Sequence, residues 1–101
     1  MIVVTGTFKI TDLMRAAAMQ PVVLNAISDS RNEPGCLVYE FAQLIDDAQA
    51  FRIYEEWESK EALDAHMQTD HFKALSEALE KAGVTDLSVM KFEAGERTPL
   101  S

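Results

Sequence analysis

From Ile2 to Lys9 apolar and polar positions alternate only weakly, and Ile2, Val3 and Val4 are consecutive, which predicts a strand covered on both faces near its start. Thr11 and Asp12 then offer capping side chains. From Leu13 to Ser30 the residues Met19, Val22, Val23, Ala26 and Ile27 recur at helical spacing. Pro21 falls inside that stretch, where it removes a backbone donor and crowds the previous turn. A kink or a restart is expected there, with Pro21 in the first turn of a helix running to about Arg31. Asn32-Glu33-Pro34-Gly35 reads as a turn, because Pro fixes φ and Gly permits positive φ. Two segments rich in β-formers follow, Cys36 to Leu44 and Phe51 to Trp57, joined by a polar hairpin connection at Asp46-Asp47-Ala48. Ser59 caps a helix with Ala62, Leu63, His66 and Met67 along one side. Thr69-Asp70 reads as a second cap, at which the helix breaks and resumes through Phe72, Leu75, Leu79 and Ala82 to Gly83, a C-terminal stop. Leu87 to Phe92 is the last strand.

The order β-α-β-β-α-β predicts an α+β, ferredoxin-like sandwich: four antiparallel strands with the helices on one face. Residues 1–93 form that domain, and 94–101, with Gly95 and Pro99, form a C-terminal tail. The second strand places Leu37, Tyr39 and Phe41 on one side and Cys36, Val38 and Ala42 on the other, so neither face is polar. An apolar sheet face without helices needs a cover. A second copy of the chain is the expected one, giving a homodimer of the dimeric α/β barrel kind.

One domain is what 101 residues allow. An apolar share of 48% is enough for a core, and no apolar run approaches a membrane span. Met1 to Val4 lacks the basic flank of an export signal, so a cytoplasmic location is expected. Nine Lys and Arg against 17 Asp and Glu give a formal charge of -8, which argues against nucleic acid as a partner. The single cysteine, Cys36, can form no internal disulfide and reads as a small buried hydrophobe. His66 and His71 are five residues apart, so a helical metal pair is not implied.

The run Ser30-Arg31-Asn32-Glu33-Pro34-Gly35-Cys36-Leu37-Val38-Tyr39 resembles a junction of the antibiotic biosynthesis monooxygenase domains. Tyr54-Glu55-Glu56-Trp57, Ala62-Leu63-Asp64-Ala65-His66 and Asp70-His71-Phe72 continue the resemblance, which covers about Val3 to Glu93. It implies a dimeric ferredoxin-like fold and oxidation of quinols or electron-rich phenols by dioxygen, with no metal, flavin or other cofactor. The family also holds haem-degrading members, which use an Asn on the first strand and a Trp and a His on the second helix. Here the first strand has no Asn, and the other two positions are His66 and Ser76, so haem breakdown is disfavoured.

Oxidation without a cofactor needs a base, an oriented pocket and exclusion of water. His66 is the candidate base, since its spacing from Ala62 and Leu63 turns it toward the sheet; the alternative is a packed ring bonded to a backbone carbonyl. His71 is expected at the rim of the pocket or exposed. Trp57, Tyr39, Tyr54 and Phe72 are candidate substrate-binding aromatics, although strand aromatics are commonly plain core. Glu55 shares a strand face with Trp57 and needs a partner for its carboxylate, either in a structural ion pair or in support of the base. Two further readings compete with the enzyme: a non-catalytic small-molecule-binding module, and a stress-related dimer with a vestigial cleft.

Overall fold

A computed structural model describes all residues from Met1 to Ser101. The elements are β1 (Ile2–Lys9), α1 (Leu13–Arg31), β2 (Cys36–Leu44), β3 (Asp47–Trp57), α2 (Lys60–His66), α3 (Asp70–Lys81) and β4 (Thr85–Glu93). The four strands form one antiparallel sheet in the order β2-β3-β1-β4. The α+β, ferredoxin-like arrangement expected from the sequence is therefore present within the chain. No helix is long and apolar enough to cross a membrane.

The caps fall where the sequence offers them. The Asp12 carboxylate accepts from the Met14 and Arg15 backbone N–H groups, and the Ser59 hydroxyl accepts from that of Ala62. Thr69 does more, because its hydroxyl accepts from Phe72 N–H at the start of α3 and donates to His66 C=O at the end of α2 (2.7 Å). One side chain thus fixes how the two short helices meet.

Three details depart from expectation. No restart occurs at Pro21: α1 is one 19-residue helix, and Pro21 lies on its exposed side. There the packing of Met19, Val23 and Ala26 outweighs one lost backbone bond. β3 begins at Asp47, leaving only Ile45 and Asp46 as the hairpin turn. In β2 the register shifts between Cys36 and Val38, with Cys36 opposite Trp57 and Val38 opposite Glu56. This bulge leaves Leu37 half-exposed and brings Cys36, not Leu37, to the Tyr39 side.

Two apolar clusters hold the helices to the sheet. Phe8, Ile10, Met19, Val23, Ala26, Leu75 and Ala82 join α1 and α3 to β1. Val4, Tyr39, Trp57 and Leu63 join α2 to β1, β2 and β3. Trp57, Tyr39, Phe8 and Ile10 are almost completely buried, and each large side chain of this kind contributes about 1.5–3 kcal/mol through loss of contact with water.

The turn between α1 and β2 decides where the second cluster lies. Gly35 has φ +85°, and a Cβ there would stand 2.6 Å from Cβ of Ala62 on α2. Its carbonyl also accepts from Glu58 N–H at 2.8 Å. The turn thus rests directly on α2. We predict that Gly35→Ala lowers stability by roughly 2–4 kcal/mol, combining left-handed backbone strain with overpacking. An unchanged urea midpoint would show that this close approach is not needed.

Candidate active site

On the helix-covered face, β3 presents Phe51, Ile53, Glu55 and Trp57; β2 presents Tyr39 and Phe41. His66 comes down from the last turn of α2 and is 1% exposed. Its ring lies 4.6 Å from that of Trp57, 5.3 Å from Phe72 and 5.4 Å from Tyr39, centroid to centroid. The aromatic walls fix the ring plane, and polar contacts then fix its rotation.

Those contacts come from Glu33. Its Oε2 lies 2.7 Å from Nδ1 of His66 and 2.8 Å from Nε2 of His71, so one carboxylate oxygen receives a ring N–H from each histidine. Glu33 is held by its own turn, donating its N–H to Ser30 C=O and accepting from Cys36 N–H. With its proton on Nδ1, the His66 ring keeps a bare lone pair on Nε2. That nitrogen is buried and has no hydrogen-bond partner.

Glu55 stands close by, its Oε1 at 3.9 Å from Nε2 of His66. The same oxygen accepts from the Trp57 indole N–H at 2.9 Å. This is the partner that the carboxylate needed. Burial pushes the Glu55 carboxyl up to about 7, only partly opposed by the indole bond. Burial likewise pushes His66 below the usual histidine range, against the pull of Glu33. Tyr39 is raised, mainly by desolvation; Cys36 is half-buried and not buried as expected, yet desolvation raises its thiol too.

These groups border a cavity of about 420 Å³ between the sheet and α2 and α3. Tyr39, Phe41, Glu55, His66 and Phe72 line its inner part, and Leu87, Val89 and Lys91 of β4 its outer wall. A groove of equal volume lies between α1 and the β2–β3 edge, but none of its lining side chains titrates in water. The His66 cavity, with Tyr39, Glu55 and His66 on its lining, is the candidate site.

The sequence profile described as antibiotic biosynthesis monooxygenase matches residues 1–78. The chain belongs to the antibiotic biosynthesis monooxygenase family. A Deinococcus radiodurans structure assigned to this family is 27% identical, with a TM-score of 0.89 over 100% of this chain and 99% of that one. A Caulobacter crescentus CB15 structure with the same assignment is 26% identical, with a TM-score of 0.82 over 94% and 91% of the two chains. An uncharacterised Synechocystis protein is 41% identical over 46 residues, 46% of this chain. The match spans only 31% of that relative's length.

Within this monooxygenase-family chain the candidate residues divide between two faces of the sheet. Tyr39, Glu55, His66 and Phe72 reach the cavity, while Trp57 is wholly buried behind His66 and Glu55. His71 is not an isolated rim residue, since it shares Glu33 with His66. Tyr54 falls outside the group. Strand alternation sends it to the opposite face, where its hydroxyl donates to Glu56 at 2.6 Å. Glu33 is the site residue that sequence reasoning missed. It sat within the turn read from Pro34 and Gly35, 33 and 38 residues from its two partners.

Glu55 yields a pH test. Its folded pKa of about 7 lies above the ordinary 4.5, so the folded state holds the proton more tightly. The contribution to stability is full below about pH 4.5 and is lost as pH rises through 7. A glutamine can accept from Trp57 and donate to His66 without ionising. We predict that Glu55→Gln gains on the wild type with rising pH, by at most about 1.4 kcal/mol per unit between pH 5 and 7. Urea unfolding at a series of pH values measures the difference, and a constant difference would contradict the assignment.

Proposed function

We propose that the protein is a cofactor-independent monooxygenase that oxidises a quinol or polyphenolic aromatic with dioxygen, working as a homodimer. The observation that carries this reading is the bare, buried Nε2 of His66, a side chain that borders an apolar, aromatic cavity. Leaving such an atom unpaired costs about 1–3 kcal/mol. A phenolic hydroxyl placed in the cavity would supply the missing donor.

In this scheme Nε2 takes the phenolic proton, and Glu33, already bonded to Nδ1–H, steadies the imidazolium that forms. The phenolate passes one electron to dioxygen, and the resulting radicals combine at a ring carbon. The peroxide takes back the proton from His66. Loss of water, using the hydrogen on that carbon, leaves the quinone, so that substrate and dioxygen become quinone and water. Tyr39 and Phe72 flank the site as walls for a flat ring, Glu55 lines it beside the base, and Trp57 backs the His66 ring. His71 bears on the substrate through Glu33.

The homodimer is supported by the helix-free face. Met90 and Phe92 of β4 are 66% and 52% exposed there. A second copy covering them would bury on the order of 2,000 Å². Arg97 of the 94–101 segment reaches back to Glu56 on the same face at 3.3 Å, so this tail would border the contact.

Oxygen uptake with a panel of quinols tests the activity, and uptake by none of them while an aromatic still binds would favour a plain binding module. Given a working substrate, His66→Ala should lower kcat by about 10² to 10⁴. Glu33→Gln should lower it less, because the base stays but its orienting anion is gone. Full activity in a folded His66→Ala protein would rule out the base. Light scattering should give twice the chain mass at micromolar concentration, and a stable monomer there would remove the dimer.

A further inference from the structure

We propose that Glu33, His66 and His71 form a binding site for a zinc-like divalent cation, and that filling it switches off the base at His66. The metal half of this inference stands on the three side chains alone. The inhibitory half rests on the proposed role of His66.

One ligand atom from each residue lies within 4.8 Å of the others. These are Nδ1 of His66, Nε2 of His71 and Oε2 of Glu33, the last at 2.7 and 2.8 Å from the two nitrogens. Two imidazoles and one carboxylate are a donor set for zinc or a neighbouring transition ion, with positions left over for water. Bonds of about 2.0–2.1 Å in a tetrahedral site set ligand atoms roughly 3.3 Å apart. The Glu33 oxygen would retreat from each nitrogen by about half an ångström, and the two nitrogens, now within 4.8 Å of each other, would settle to the same spacing through side-chain rotation.

The scaffold presents the three groups from separate segments. His66 ends α2, His71 is the second residue of α3, and the Thr69 hydroxyl bonds both helices where they join. Glu33 arrives on the turn that Gly35 seats against Ala62. Side-chain exposure rises from 2% at His66 to 12% at Glu33 and 19% at His71, so an ion enters past His71 and keeps water on that side.

A further observation concerns the other nitrogen of His66. Histidine ligands commonly donate their second N–H to a carboxylate, which fixes the tautomer. Metal on Nδ1 moves the ring proton to Nε2, and Nε2 is the buried atom with no partner. The Glu55 oxygen stands 3.9 Å away, and an approach of roughly 1 Å makes a carboxylate–histidine–metal chain. The metal-free protein carries the opposite tautomer, with Nδ1–H on Glu33 and the lone pair on the buried Nε2. The ion and the base therefore exclude each other.

The test starts with the full chain, treated with chelator and exchanged into metal-free buffer. Cobalt(II) is added without substrate and its visible absorption followed; zinc affinity is measured by competition with a chromophoric chelator. One equivalent per chain, with the intense bands of a four- or five-coordinate cobalt site, is expected. His71→Ala, with His71→Asn as a second variant should the first unfold, should weaken zinc binding at least 100-fold. Tyr54→Phe, on the other face of the sheet, should leave it unchanged. Absence of the cobalt bands at millimolar ion, or undiminished zinc binding in a folded His71 variant, overturns the site. With an oxidisable quinol, one equivalent of zinc should stop oxygen uptake and chelator should restore it. Stoichiometric zinc with undiminished uptake overturns the inhibitory half and counts against His66 as the base, while the cobalt spectrum still reports the site.

Discussion

The shared carboxylate oxygen of Glu33 organises the functional end of the molecule. Without it, His66 would be a nearly fully buried imidazole with neither nitrogen paired, and His71 would lose its hydrogen bond. With it, three segments of no local sequence relation become one unit: the turn after α1, the end of α2 and the start of α3. The bond is charge-assisted and lies beside apolar walls, where water competes poorly. It also polarises the ring, since satisfying Nδ1 leaves all unsatisfied capacity on Nε2. Packing against Trp57, Tyr39 and Phe72 keeps that imbalance from relaxing by a ring rotation.

Glu55 and Glu56 show how far one step along a strand changes a carboxylate. Both are 4% exposed. Glu55 faces the helices, where its close bond is a neutral indole N–H and desolvation dominates its proton affinity. Glu56 faces away, held by the Tyr54 hydroxyl and the Arg97 guanidinium. The pleat separates the two environments, and only the first adjoins a cavity.

Much of this was legible in the sequence because it is local. Capping side chains, the Pro34-Gly35 turn and the period-two pattern of β3 specify the elements and correctly place Glu55 beside Trp57. The phase of α2, set by Ala62 and Leu63, turns His66 inward as expected. Pro21 misled because its cost is local while the packing that overrides it is tertiary. Leu37 misled because a bulge shifts every later residue by one position, and no residue of β2 announces it. Tyr54 could not be told from Tyr39 as a pocket residue until the covered face of the sheet was known. Glu33 carried a composition signal for a turn and none for a site. Its significance is long-range, created when Gly35 meets Ala62, and a histidine spacing of five, unpromising on one helix, becomes convergent across the Thr69 break.

β4 bounds the cavity differently from every other wall. It hydrogen-bonds only to β1, and all nine of its residues are exposed within a single chain. The inner walls are locked by two apolar clusters, whereas this one is an edge held by a single ladder. Local opening is least costly where burial is least, so the cavity has a rigid floor and a compliant outer wall. Leu87, Val89 and Lys91 can change in size or charge with little consequence for the core. Relatives built on this plan can therefore diverge in what they admit while keeping the machinery behind it intact.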